Sequence, residues 1–211
     1  MLIRPHDAPQ DDEREWRDLV AENPFGTLIA PGVDRELPVV VPTHMHFDGD
    51  RTISLHLARP NPVWQALSEN PRCLFVVTAA VTYVPTSWEA PPGTEPQWGI
   101  PTSHYATAQL DCNATVTDDS DEIRRVLADQ LATMQPDEPY GDPQRPDAPY
   151  EQELRQIRGL RLTINSVRAK FKFDGGESGE VRQQVIDGYQ RRQGPGDAQA
   201  LEHLLRRHPV D

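Results

Sequence analysis

Apolar and polar positions alternate most cleanly between Tyr105 and Thr117. Ala106, Ala108, Leu110, Cys112, Ala114 and Val116 fall on one face, and Thr107, Gln109, Asp111, Asn113 and Thr115 on the other. Side chains on a strand alternate with period two, so this segment predicts a long strand with one buried face. Shorter runs of the same kind predict strands over 25–30, 39–47 and 51–58. Asp48-Gly49-Asp50 makes a tight turn and a hairpin of the last two. Cys73 to Thr78 reads as an apolar strand that Val81 to Val84 either continues or pairs with. Leu160, Leu162 and Ile164 point inward on another strand, which 167–173 extends. Period 3.6 replaces period two elsewhere. Residues 11–20 predict a helix with Trp16, Leu19 and Val20 on one face, ended by Asn23-Pro24. Further helices are expected at 61–67 with Asn61 as cap, at 119–134, near 150–157, at 178–191 and at 197–207, the last two separated by Gly194-Pro195-Gly196. The Pro- and Asp-rich stretch 135–149 predicts an exposed loop. The pattern as a whole predicts an α+β, mainly β fold: an antiparallel barrel with flanking and C-terminal helices.

Composition narrows this picture. The chain has 211 residues, 36% hydrophobic and 26% charged, enough for one core. One domain over 1–211 is expected, with a helical extension from about 178 to 211. No apolar run approaches the roughly 20 residues that span a bilayer, and the N-terminus lacks the apolar core of a signal peptide, so a cytoplasmic location is expected. The net charge of −12 repels phosphate backbones and anionic membranes, which disfavours nucleic acid and membrane partners. Cys73 and Cys112 both lie in apolar strands and read as buried, reduced thiols.

Several residues could carry chemistry. His44 and His46 form an H-x-H on a strand, a spacing that suits a metal but equally suits a polar strand face. His56 shares its strand face with Ser54 and Ala58 and is followed by Arg59-Pro60-Asn61-Pro62 at a helix entry. A ligand carrying carboxylates or phosphate fits there, and imidazole is also the usual axial ligand of haem iron. Thr102, Ser103, His104 and Tyr105 bring hydroxyls, an imidazole and a phenol to the start of the long strand. A Pro-rich loop bracketed by Trp88 and Trp98 precedes them and could cover a planar ring or simply core. Lys170 and Lys172 share a strand face and could pair with an anion or remain solvated. Signatures of P-loops, dinucleotide folds, serine hydrolases and zinc proteases are absent.

The segments Asn23-Pro24-Phe25-Gly26-Thr27-Leu28, Thr43-His44, His56-Leu57-Ala58-Arg59-Pro60-Asn61-Pro62-Val63-Trp64, Tyr83-Val84-Pro85-Thr86-Ser87-Trp88, Pro101-Thr102 and Lys170-Phe171-Lys172 occur in this order. Together they resemble the PaiB family of FMN-binding regulators across nearly the whole chain. The resemblance implies a split β-barrel and a homodimer. It implies a cofactor held by His44, His56, Arg59, Asn61, Trp64, Thr102, Lys170 and Lys172. Flavin-type members carry Ser-Gln-Asn shortly after the late-strand lysine, where this chain has Phe173-Asp174-Gly175-Gly176. That difference points to haem b, with FMN as the alternative. It is shared with an actinobacterial branch that piperazate synthases resemble, enzymes that close an N–N bond in N5-hydroxyornithine. In such an enzyme His56 is expected on the haem iron. Arg59 with Lys170 or Lys172 would face propionates or the substrate carboxylate, and Ser103, His104 and Tyr105 would line the reacting side. The other reading is an FMN-binding regulator or reductase.

Overall fold

The computed structural model describes residues 1–11, 13–145 and 149–209. Asp12 of the first expected helix, residues 146–148 of the expected 135–149 loop and the last two residues of the C-terminal extension lie outside them. Seven strands form one sheet: β1 (Phe25–Ala30), β2 (Val39–His44), β3 (His46–Phe47), β4 (Thr52–Ala58), β5 (Arg72–Val84), β6 (Thr102–Thr117) and β7 (Ile157–Lys172). Their order is β2-β1-β5-β6-β7-β4-β3, and the β1–β2, β1–β5, β3–β4 and β4–β7 ladders are antiparallel. β2 and β3 end the sheet, so it does not close. This is the mainly β split-barrel class that the sequence predicts. Among the described residues, six α-helices accompany it: α1 (Arg14–Glu22), α2 (Val63–Glu69), α3 (Ser120–Met134), α4 (Glu151–Leu154), α5 (Gly179–Arg192) and α6 (Asp197–Arg207). Among the described residues, no helix is long and apolar enough to cross a membrane.

The chain packs as two compact units, and β5, β6 and β7 run through both. One unit comprises Val20–Val77 and Gln109–Val167. Its core follows the alternation of the sequence: Ile53, Leu55 and Leu57 of β4 and Leu160, Leu162 and Ile164 of β7 are buried. Each such side chain contributes about 1.5–3 kcal/mol through burial. α3 begins where Asp119 Oδ1 accepts from Glu122 N at 2.9 Å, which satisfies one of the amides a helix start leaves over. Its inward stripe is Ile123, Val126 and Gln130, at i, i+3 and i+7.

The strand expected over 39–47 is broken at Met45. That residue is fully buried and its amide donates to Pro24 O at 2.9 Å. Before the break, β2 pairs with β1 and sets His44 opposite Phe25; after it, β3 pairs with β4 and sets His46 opposite Ser54. The expected hairpin forms across Asp48-Gly49-Asp50, where Asp48 Oδ1 accepts from Asp50 N at 2.8 Å and Thr52 N at 2.9 Å.

The other unit comprises Met1–Leu19, Thr78–Ala108 and Arg168–Asp211. Here Val81–Val84 continues β5 rather than pairing back. Ala80 has φ 54, and Ala79 and Ala80 are both buried. That bulge shifts the alternation by one residue. Val81 and Tyr83 become exposed while Thr82 and Val84 turn inward. Thr82 Oγ1 then donates to Asp197 Oδ1 at 2.7 Å, and Asp197 also takes Arg192 Nη2 at 2.5 Å and Gly194 N at 2.7 Å. The Arg192 guanidinium holds the Asp197 carboxyl below the usual carboxylate range. One carboxylate thus organises the Gly-Pro-Gly break between α5 and α6.

On α6, the His203 ring lies parallel to Phe173, with centroids 4.9 Å apart and planes 7° apart. Burial, with Arg206 beside it, pushes His203 down from 6.5 to about 4. The unfolded chain therefore takes up a proton at this residue before the folded chain does. Stability from His203 is complete above about pH 6.5 and is lost as pH falls towards 4. Urea unfolding at about pH 7 and pH 5 should show a smaller acid-induced loss in His203→Leu than in the parent chain. Equal losses would mean that this ring has no part in the acid response.

Candidate functional site

The unit that holds β4 contains a chain of three groups. His56 Nδ1 lies 2.5 Å from Gln130 Oε1, and Gln130 Nε2 donates to His44 O at 3.2 Å. The second bond fixes the amide: with its NH2 on a carbonyl, Gln130 presents oxygen to the imidazole. Nδ1 must then carry the proton, and the Nε2 lone pair is free. Gln130 is 7% exposed and His56 half-buried. Burial lowers His56 below its ordinary pKa, with Gln130 opposing. The ring is therefore neutral near pH 7, oriented, and without a hydrogen-bond partner on Nε2 among the described residues. Such a donor fits haem iron, since metal-bound histidines are held through their other nitrogen in this way.

The neighbouring predicted residues each have a partner within the fold. Asn61 Oδ1 accepts from Val63 N at 3.0 Å one residue ahead of the observed α2 N-cap, Pro62, rather than at the cap itself, and Trp64 Nε1 donates to Ala58 O at 2.9 Å. Arg59 gives Nε to Arg155 O and Nη1 to Asp118 Oδ1, both at 2.7 Å, and Asp118 also receives Arg158. The guanidinium expected to meet an anionic ligand thus already has a carboxylate partner. His44 packs edge-on against Phe25 at 4.8 Å, while His46 Nδ1 is bonded to Thr133 Oγ1 at 2.9 Å. The two imidazoles have separate partners, and neither joins a three-ligand metal cluster among the described residues. Cys73 and Cys112 are free and buried, and burial pushes the Cys73 thiol up to about 12.

The remaining predicted residues belong to the other unit. Thr102, Lys170 and Lys172 line a cavity of about 690 Å³ together with Arg4, Asp7 and Trp98. Lys172 Nζ donates to Thr102 Oγ1 and to Ser103 O, the latter at 3.1 Å. Lys170 Nζ donates to Leu2 O at 3.1 Å and pairs with Asp7 at 3.4 Å, below the Tyr105 ring. The two lysines share this cavity, as their spacing predicts. Of the two loop tryptophans, Trp98 reaches the cavity. Trp88 stands edge-on to Tyr189 at 5.5 Å.

Strand alternation separates the expected trio. Ser103 and Tyr105 face away from His104, which is fully buried. His104 Nε2 lies 2.7 Å from Asp174 Oδ1, and Tyr189 OH lies 2.7 Å from its Nδ1. Gln130, Asp174 and Tyr189 were not singled out by the sequence. A signal existed for Gln130, a polar residue on an otherwise apolar helical stripe.

Known proteins agree with this fold. The protein-family model described as "Putative FMN-binding domain" matches residues 1–166. Protease synthase and sporulation protein PAI 2 of Bacillus subtilis is 22% identical over 205 residues, covering 96% of this chain and 95% of its own. The FAD and haem binding protein of Mycobacterium smegmatis superimposes with a TM-score of 0.59 at 21% identity, over 85% of this chain and 79% of that one. The flavocytochrome Anf3 of Azotobacter vinelandii gives a TM-score of 0.57 at 15% identity, over 76% and 68%. With more than half of its length matched, the chain belongs to this FMN-binding domain family.

Proposed function

We propose that the chain is a haem-dependent enzyme of the piperazate synthase kind, which binds haem b through His56 and converts N5-hydroxyornithine to piperazic acid, as a cytoplasmic homodimer. The observation that carries the reading is the His56–Gln130–His44 chain, which leaves a neutral imidazole with a free Nε2. A protein of the same fold from Mycobacterium smegmatis that binds FAD and haem adds support for the cofactor class. Homodimer and substrate come from the family resemblance.

The net reaction is redox-neutral. The N–O bond of the hydroxylamine breaks, the α-amine nitrogen bonds to the freed nitrogen, and water leaves. Bound haem would supply an iron centre that weakens the N–O bond. The protein's own part is to hold the donor. Gln130 fixes the His56 tautomer, and burial keeps the ring unprotonated near pH 7. Folding the substrate so that both nitrogens meet would be an orientation effect.

FMN is the second reading, favoured by the family match and by the cavity at Lys170 and Lys172, whose cations suit an anionic ligand. Protein produced with a haem precursor decides between them by its visible spectrum. A Soret band that His56→Ala abolishes, and turnover of N5-hydroxyornithine, are expected. Stoichiometric flavin in the purified protein would overturn the haem reading.

A further inference from the structure

One buried cluster lies apart from the His56–Gln130–His44 chain. Glu89, His104 and Asp174 each present one donor atom, and the three atoms lie within 4.8 Å of one another. His104 is 0% and Asp174 9% exposed. Asp174 Oδ1 is matched to His104 Nε2, but Asp174 Oδ2 and Glu89 Oε1 are both sealed from solvent with no donor among the described residues. Buried oxygens of this kind ordinarily have partners, because leaving one unmet costs about 1–3 kcal/mol. The nearby cation, Lys172, gives two of its three N–H donors to Thr102 Oγ1 and Ser103 O, and neither carboxyl oxygen accepts from it. Glu177 adds further negative charge to the cluster.

We propose that a divalent cation binds in this cluster, held by His104 Nε2, Asp174 and Glu89. One imidazole nitrogen and two carboxylate oxygens form a set suited to Zn²⁺ or Mn²⁺, and three protein ligands leave a position open. Glu89 and Asp174 also line the 690 Å³ cavity, so the buried cluster lies at that cavity's wall. The outer partner is also in place. Tyr189 OH sits 2.7 Å from His104 Nδ1 and orients the ring, and burial holds its phenol protonated.

The test uses the full chain, stripped with a chelator and titrated with Co²⁺ and Zn²⁺ at about pH 6.5 by calorimetry. One ion per chain and the visible absorption of protein-bound Co²⁺ are expected. Glu89→Gln removes one charged ligand at nearly the same volume and should keep the fold. It should weaken binding at least tenfold. His46→Asn should leave binding unchanged. Absence of stoichiometric binding to the folded parent chain, or binding that survives Glu89→Gln unchanged, overturns the proposal. A reading that needs no variant is the His104 ring resonances, which Co²⁺ should shift strongly. Binding that leaves them unmoved places the ion elsewhere and also overturns it.

Discussion

Arg207→Ala should lower the melting temperature by about 6–12 °C, the equivalent of about 3 kcal/mol for a chain of this size. Arg207 is 6% exposed although it carries a full charge. Its Nη1 pairs with Glu15 Oε2 at 2.5 Å, and its Nη2 donates to Ala8 O at 2.7 Å and His6 O at 3.4 Å. The guanidinium also lies over the Phe171 ring at 5.2 Å. One side chain on α6 thus holds the N-terminal segment at three points. Removing it leaves two carbonyls and a poorly exposed carboxylate without their donor, and that unmet charge is the costly part. Arg207→Met keeps the apolar stem and should recover only the packing share of the loss. A thermal melt of both variants separates the two contributions. A fall of less than about 1 kcal/mol in Arg207→Ala would mean that the segment is held by burial of Trp16 and Leu19 instead.

Gln130→Leu should weaken haem binding about 10–100-fold with His56 intact. The substitution preserves volume on the inward stripe of α3 but removes the acceptor of His56 Nδ1–H. The ring then loses both its orientation and its tautomer preference. Gln130→Glu keeps an acceptor for Nδ1–H but loses the donor to His44 O, and should restore binding only in part. Haem titration followed at the Soret band distinguishes the three proteins. Unchanged affinity in a folded Gln130→Leu chain would separate the hydrogen bond from the cofactor.

What the sequence disclosed follows from how local each cause is. The alternation of β6 is imposed residue by residue, and Ala106, Ala108, Leu110 and Cys112 are buried as it requires. The starts of α3 and α5 are set by Asp119 and Ser178, whose side chains accept from amides three residues on. Breaks set by distant partners were less visible. Met45 divides a run that looks continuous because Pro24 O, 21 residues away, takes its amide. Ala80 adopts a conformation usually left to glycine, so nothing in its side chain announces the bulge. The sites divide in the same way. His56 stands out as a candidate by its strand face and its motif, whereas its partner Gln130 lies 74 residues further on and Asp174 lies 70 residues beyond His104. Arg59 shows the reverse case: its motif suggests a ligand, and the fold hands it Asp118.

The two edges of the sheet bear on how copies of this chain can meet. β2 carries Pro42, which has no amide hydrogen to offer, and β3 is only two residues long. Neither edge is a good template for a further strand. Cross-β stacking and growth into filaments are thereby discouraged, and self-association of the native protein is directed to side-chain surfaces rather than to backbone ladders.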